Sequence, residues 1–173
     1  MSVDIQVFEQ TDAGPVEIDN FSLKNSSTTS VPYYSVPLRR PLLPGDQTNS
    51  FKKYIFFKIT GTSATFKNAQ IQMTLDQGAQ ANLTQLFYKF SNTYTSPDTN
   101  FDGDMIFSSN NAITWFPNLG STPELATSRP IVVTNQVVYT NYLVFQMRVN
   151  TSTWNDVGNT AQFGLALTLN EFE

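Results

Sequence analysis

Apolar and polar residues alternate through most of this chain, most densely near its C-terminal end. Leu143, Phe145, Met147 and Val149 form one row, with Tyr142, Val144, Gln146 and Arg148 between them. Further on, Phe163, Leu165, Leu167 and Leu169 alternate with Gln162, Gly164, Ala166 and Thr168. A period of two is that of strands with one buried face. Asn155, Asp156, Gly158 and Asn159, between the two runs, are turn formers. The stretch 142–172 is therefore predicted to be a long hairpin.

The same reading extends upstream. Val3, Ile5 and Val7 alternate with Asp4, Gln6 and Phe8. A turn follows at Asp12, Gly14 and Pro15, then a second strand from Val16 to Leu23 with Val16 and Ile18 facing inward. Pro32, Pro37, Pro41 and Pro44 forbid a helix and discourage a central strand, so 24–50 is expected to be an extended arm. Strands are expected over 51–60, buried on both faces around Tyr54 to Phe57, then over 69–76 and 83–90, with a turn over 61–68. The stretch 91–130 reads as a long polar loop region with short isolated strands near 105–107 and 112–116. Strands over 131–133 and 136–140 lead into the terminal run. Residues 69–75 (AQIQMTL) echo 161–167 (AQFGLAL), as a two-half fold would, although any two half-buried strands share such alternation by chance. Strands and turns at this spacing predict a single all-β domain over 1–173, an antiparallel β-sandwich of jelly-roll or Greek-key type.

Composition narrows the chemistry. Charged residues are 14% of the 173, below the roughly 25% usual for soluble domains. The net charge of −4 argues against nucleic acid as a partner. No apolar run is long enough for a membrane-spanning helix, and the N-terminal residues lack the basic and apolar regions of a signal peptide. The absence of Cys and His excludes disulfides, thiolate and imidazole metal sites, and Ser-His-Asp catalysis. An enzyme would have to use carboxylates such as Asp98, Asp102, Asp104, Glu124 and Asp156. These sit in Asn- and Ser-rich loops, not in the apolar setting that raises a catalytic acid's pKa, so no catalytic residue is expected.

Three features are candidates for function. Asp98, Asn100 and Asp102 follow the D-x-N-x-D-G spacing that opens a calcium loop, with Gly103 at the bend and the Asp104 carbonyl as a further ligand. The twelfth position is Ser109 where the bidentate Glu would stand, so the alternative is a solvated acidic turn. Tyr94, Phe101, Trp115 and Phe116 cluster in the long loop region. Trp115 is a candidate for stacking on a glycan, whereas Trp154 is expected to fold back over the end of the sandwich. Finally, seven of the ten basic residues lie between Lys24 and Lys67, while the first twenty residues carry Asp4, Glu9, Asp12, Glu17 and Asp19. That asymmetry could mate one subunit's arm with a neighbour's acidic edge.

The opening MSVDIQVFEQ, the arm VPYYSVPLRRPLLPG and the ending YLVFQMRVNTSTWNDVGNTAQFGLALTLNEFE together resemble the small β-sandwich structural proteins of bacteriophage and viral particles. Such subunits build tails, baseplates, neck fibres or capsid accessories. The resemblance implies self-assembly within a virion, with the chain itself and other virion proteins as partners. Tyr33, Tyr34, Arg39 and Arg40 are the expected anchors of the arm, because Tyr and Arg dominate interface energetics. The alternative expectation is a carbohydrate-binding module or receptor-binding tail tip that uses calcium.

Overall fold

The computed structural model describes residues 3–19, 47–61, 64–76, 84–100, 105–107, 113–115, 117–127, 131–133, 136–150 and 162–172. Thirteen strands and no helix occur among them, and every strand pairing is antiparallel. The all-β expectation therefore holds for the described residues. The arm residues 24–46 and the turn with Trp154 lie outside them.

The largest sheet contains nine strands. Its main path runs β2 (Gly14–Glu17), β1 (Val3–Thr11), β4 (Lys53–Gly61), β12 (Tyr142–Asn150), β6 (Thr84–Ser91) and β7 (Met105–Phe107). β3 (Gln47–Asn49) joins β12, while β11 (Gln136–Thr140) joins β4 and β9 (Leu119–Gly120). A second sheet contains β10 (Ile131–Val133), β5 (Ala64–Asp76) and β13 (Gln162–Phe172), with β8 (Ile113–Trp115) also on β5.

This topology corrects the predicted terminal hairpin. β12 and β13 do not pair with each other: β12 lies between β4 and β6, and β13 lies on β5. Period-two alternation marks a strand but carries no information about its partner. The two echoing segments turn out to be partners, with Phe163 opposite Leu75, Leu165 opposite Met73 and Leu167 opposite Ile71. The expected turn over 61–68 is shorter, since β5 begins at Ala64. The short strands at 105–107 and 113–115 are not isolated, for they pair with β6 and β5.

The centre of the large sheet is the long antiparallel pair formed by 47–61 and 136–150. Asn49 is opposite Arg148, Lys53 opposite Phe145, Ile55 opposite Leu143, and Lys58 opposite Tyr139. One extra residue enters the first strand between Asn49 and Lys53, and one enters the second between Tyr139 and Leu143. These are two β-bulges that cancel in register. Each is closed by a hydroxyl. The Met147 N–H donates to Ser50 Oγ at 2.9 Å, and the Phe57 N–H donates to Thr140 Oγ1 at 3.0 Å. Ser50 also donates its own N–H to Met147 O at 2.8 Å, and Gln146 Nε2 donates to Ser50 O at 2.9 Å.

The pair is buried on both faces. One face carries Ile55, Phe57, Ile59, Leu143, Phe145 and, from β6, Tyr88, all between 0% and 3% exposed. Glu9 and Lys53 lie on this apolar face too, each 1% exposed and joined at 2.6 Å. Burying two charges is costly unless they are paired, and here each compensates the other. The opposite face carries Tyr54, Phe56, Tyr142 and Val144, with Phe8, Tyr94 and Tyr139 packed against them. The burial expected around Tyr54 to Phe57 is thus observed, and 142–146 shares it instead of having a single buried face.

β2 forms an edge. Val16, expected inward, is 43% exposed, while Ile18 is buried. The Ile18 N–H bonds to Val7 O at 2.9 Å. Ladder alternation then turns Pro15 and Glu17 toward the open side, where proline offers no N–H and glutamate adds charge. Both blunt the edge against another strand.

Replacing Thr140 by Val should leave the buried Phe57 N–H without an acceptor and cost about 1–3 kcal/mol. Thr140→Ser keeps the hydroxyl and should cost clearly less. Urea unfolding of the two variants separates these outcomes, and equal losses would show that the hydroxyl is not what holds the bulge.

Candidate functional site

Two segments pack around the aromatic residues of the large sheet, the second of them carrying β9. The first, 91–100, follows β6. Tyr94 packs edge-on against Tyr54 at 5.0 Å between centroids, and its ring also meets Tyr142 at 6.4 Å. Tyr54 and Thr95 share a hydroxyl hydrogen bond of 2.6 Å. Asp12, in the β1–β2 turn, accepts from Tyr94 Oη at 2.9 Å and from Ser96 Oγ at 2.6 Å. At the far end Asn49 Nδ2 donates to Thr99 O, and the Lys52 N–H donates to Asp98 O.

The second segment, 117–127, packs beside the Thr140–Tyr142 bulge. The Asn141 N–H donates to Asn118 O at 3.1 Å, and Asn141 Nδ2 donates to Asn92 Oδ1 at 3.3 Å. Asn92 Nδ2 in turn donates to Ala126 O. One residue of the bulge therefore reaches both segments. Tyr142, 0% exposed, donates its hydroxyl to the Glu124 carboxylate. Pro117, Leu119, Pro123 and Ala126 are buried, while Leu125 projects outward at 62% exposure. Gly120 is the residue that permits this fold-back, since a Cβ there would lie 2.4 Å from Leu125 O.

Burial and these acceptors change the acidity of the phenols. Burial pushes Tyr94 far above its ordinary value, and the hydrogen bond and charge of Asp12 push it further. Burial does the same to Tyr142, reinforced by the hydrogen bond and charge of Glu124. Burial alone raises Tyr88. All three phenols therefore stay protonated at neutral pH, and Tyr94 and Tyr142 serve as hydrogen-bond donors.

The residues singled out from sequence fall unevenly on this framework. Asp98 is described, and its carboxylate is already engaged. Oδ1 lies 3.0 Å from Lys52 Nζ and accepts the Asn100 N–H at 3.1 Å, while Oδ2 accepts from Asn100 Nδ2 at 3.3 Å. Asp98 and Asn100 thus form a local turn tied to the sheet. Asp102 and Asp104 lie outside the described residues, as do Tyr33, Tyr34, Arg39 and Arg40. No cluster of three or more acidic side chains suited to a metal occurs among the described residues. Trp115 is placed by its backbone in β8 opposite Ile71, and its side chain lies outside the description. Glu124 is occupied as an acceptor for Tyr142. The role of Asp12 was not foreseen, because its partners stand more than eighty residues away.

No family model, curated protein or solved structure matches this chain.

Raised phenol pKa values mean that the folded protein holds these protons more tightly than the unfolded chain does. The resulting stability is fully present below the ordinary phenol pKa of about 10 and falls as the pH rises above it. An alkaline absorbance titration should show Tyr88, Tyr94 and Tyr142 ionising only as the fold breaks. Reversible ionisation of these three near the ordinary phenol value, with the fold intact, would contradict this.

Proposed function

We propose that this chain is a non-enzymatic structural protein of a virus or bacteriophage particle, folded as a jelly-roll sandwich and assembled with copies of itself and other virion proteins. The observation that carries the reading is the scheme of strand neighbours. In an eight-stranded jelly roll the second, seventh, fourth and fifth strands form one sheet, and the first, eighth, third and sixth form the other. Counting β4, β5, β6, β7, β8, β12 and β13 as the second to eighth strands gives β4-β12-β6-β7 in one sheet and β13-β5-β8 in the other, in agreement with that scheme. The first strand has no counterpart among the described residues. In this reading the second sheet covers the apolar face of Ile55, Leu143 and Phe145. Jelly rolls serve as capsid modules and as lectins, so the fold alone leaves two uses open.

The use of the polar groups favours the structural one. Asp12, Asp98 and Glu124 each accept hydrogen bonds from within the chain and fasten loops to the sheet. Such a unit presents fixed surfaces to neighbours. Residues 47–50 of the expected arm belong to the large sheet, so the remainder, 24–46, is the proposed contact with an adjacent subunit, anchored by Tyr33, Tyr34, Arg39 and Arg40, and calcium is not needed for it.

Light scattering on a sizing column, with calcium and then with chelator, tests the proposal. A discrete oligomer that survives chelation and is lost when the four arm anchors are changed to Ala is the expected result. A monomer that binds glycans, and loses that binding on Trp115→Ala, would replace this reading with the carbohydrate-binding one.

A further inference from the structure

Glu9 and Lys53 are chemically the most unusual pair in the described core. Each is 1% exposed, and Lys53 Nζ lies 2.6 Å from Glu9 Oε1. Glu9 is opposite Ile55, and Lys53 precedes Ile55 by two residues, so the two charged chains meet diagonally on one face of β1 and β4. Phe145 stands directly opposite Lys53, with Tyr88 beyond it, and both are fully buried.

We propose that this pair condenses into an amide, giving a covalent tie between β1 and β4 in a chain that has no cysteine. The proposal is independent of the virion reading. The atoms balance without a co-reactant. A proton passes from Nζ to the carboxylate, leaving an uncharged amine facing an uncharged acid. The amine lone pair attacks Glu9 Cδ, and the Nζ–Cδ bond forms. The Cδ–Oε bond then breaks, and that oxygen leaves as water with the acid's proton and one from nitrogen. Nothing is oxidised or reduced.

Three features of the site favour the reaction. The 2.6 Å contact puts Cδ at roughly the 3–3.5 Å separation of a near-attack pair, held there by two hydrogen-bonded strands. The apolar surroundings exclude the water that would reverse it. The product also replaces a buried ion pair, with its desolvation penalty, by a neutral amide. The tie would close a loop between residues 44 apart in sequence and fasten the edge hairpin whose Asp12 holds the 91–100 segment.

Intact-mass spectrometry of the folded protein decides the matter. The expected mass falls short of the sequence mass by one water, and trypsin should release Met1–Lys24 joined to Lys53–Lys58. Lys53→Arg and Glu9→Ala should each return to full mass. Full mass in the folded wild-type protein overturns the proposal, whether or not the variants fold. So does a missing water that maps to a succinimide at Asp102–Gly103.

Discussion

The constraint on which the described structure depends is the register of the pair formed by 47–61 and 136–150. Each strand carries one extra residue, at opposite ends of the pair, so the shift introduced by the first bulge is undone by the second. A bulge in the middle of a sheet exposes a backbone N–H that the ladder no longer satisfies. Ser50 and Thr140 supply the missing acceptors at the two sites, the first to the Met147 N–H and the second to the Phe57 N–H. The bulges also position functional-looking groups. Next to one, Lys52 turns to Asp98; within the other, Asn141 reaches Asn92 and Asn118.

Much of the strand content was legible because alternation and turn formers are local signals. β10 and β11 fall where the pattern placed them, and β4 reads as a doubly buried run in both sequence and structure. What the pattern could not convey was partnership. β12 and β13 alternate as a hairpin would, yet belong to different sheets, because the same period serves any half-buried strand. The bulges were invisible for a related reason: Ser50 and Thr140 resemble any polar residue at a strand end until the opposing N–H is known.

The candidate site was legible in part. Asp98 and Asn100 were singled out for their spacing, and they do form a compact turn, but the Asp98 oxygens face Lys52 and Asn100. The Glu9–Lys53 pair left a trace that could have been read. Glu9 continues the row of Val3, Ile5 and Val7, and Lys53 sits in the row of Ile55, Phe57 and Ile59. A charge in each of two apolar rows is a signal for a buried pair. Asp12 left none, since nothing local separates a turn carboxylate in solvent from one that holds a distant loop.

Together these contacts describe a sheet whose covering segments are fastened by specific polar ties to its two bulges and its edge hairpin. The most direct test is hydrogen exchange of individual backbone amides. The account predicts that the N–H groups of Phe57 and Met147, held by hydroxyls, and those of Lys52 and Asn141, held by the covering segments, exchange only through global unfolding. Exchange of Lys52 and Asn141 at loop-like rates, with the β4 and β12 ladder still protected, would contradict it. The covering segments would then be mobile, and the sheet would not be organised around its bulges.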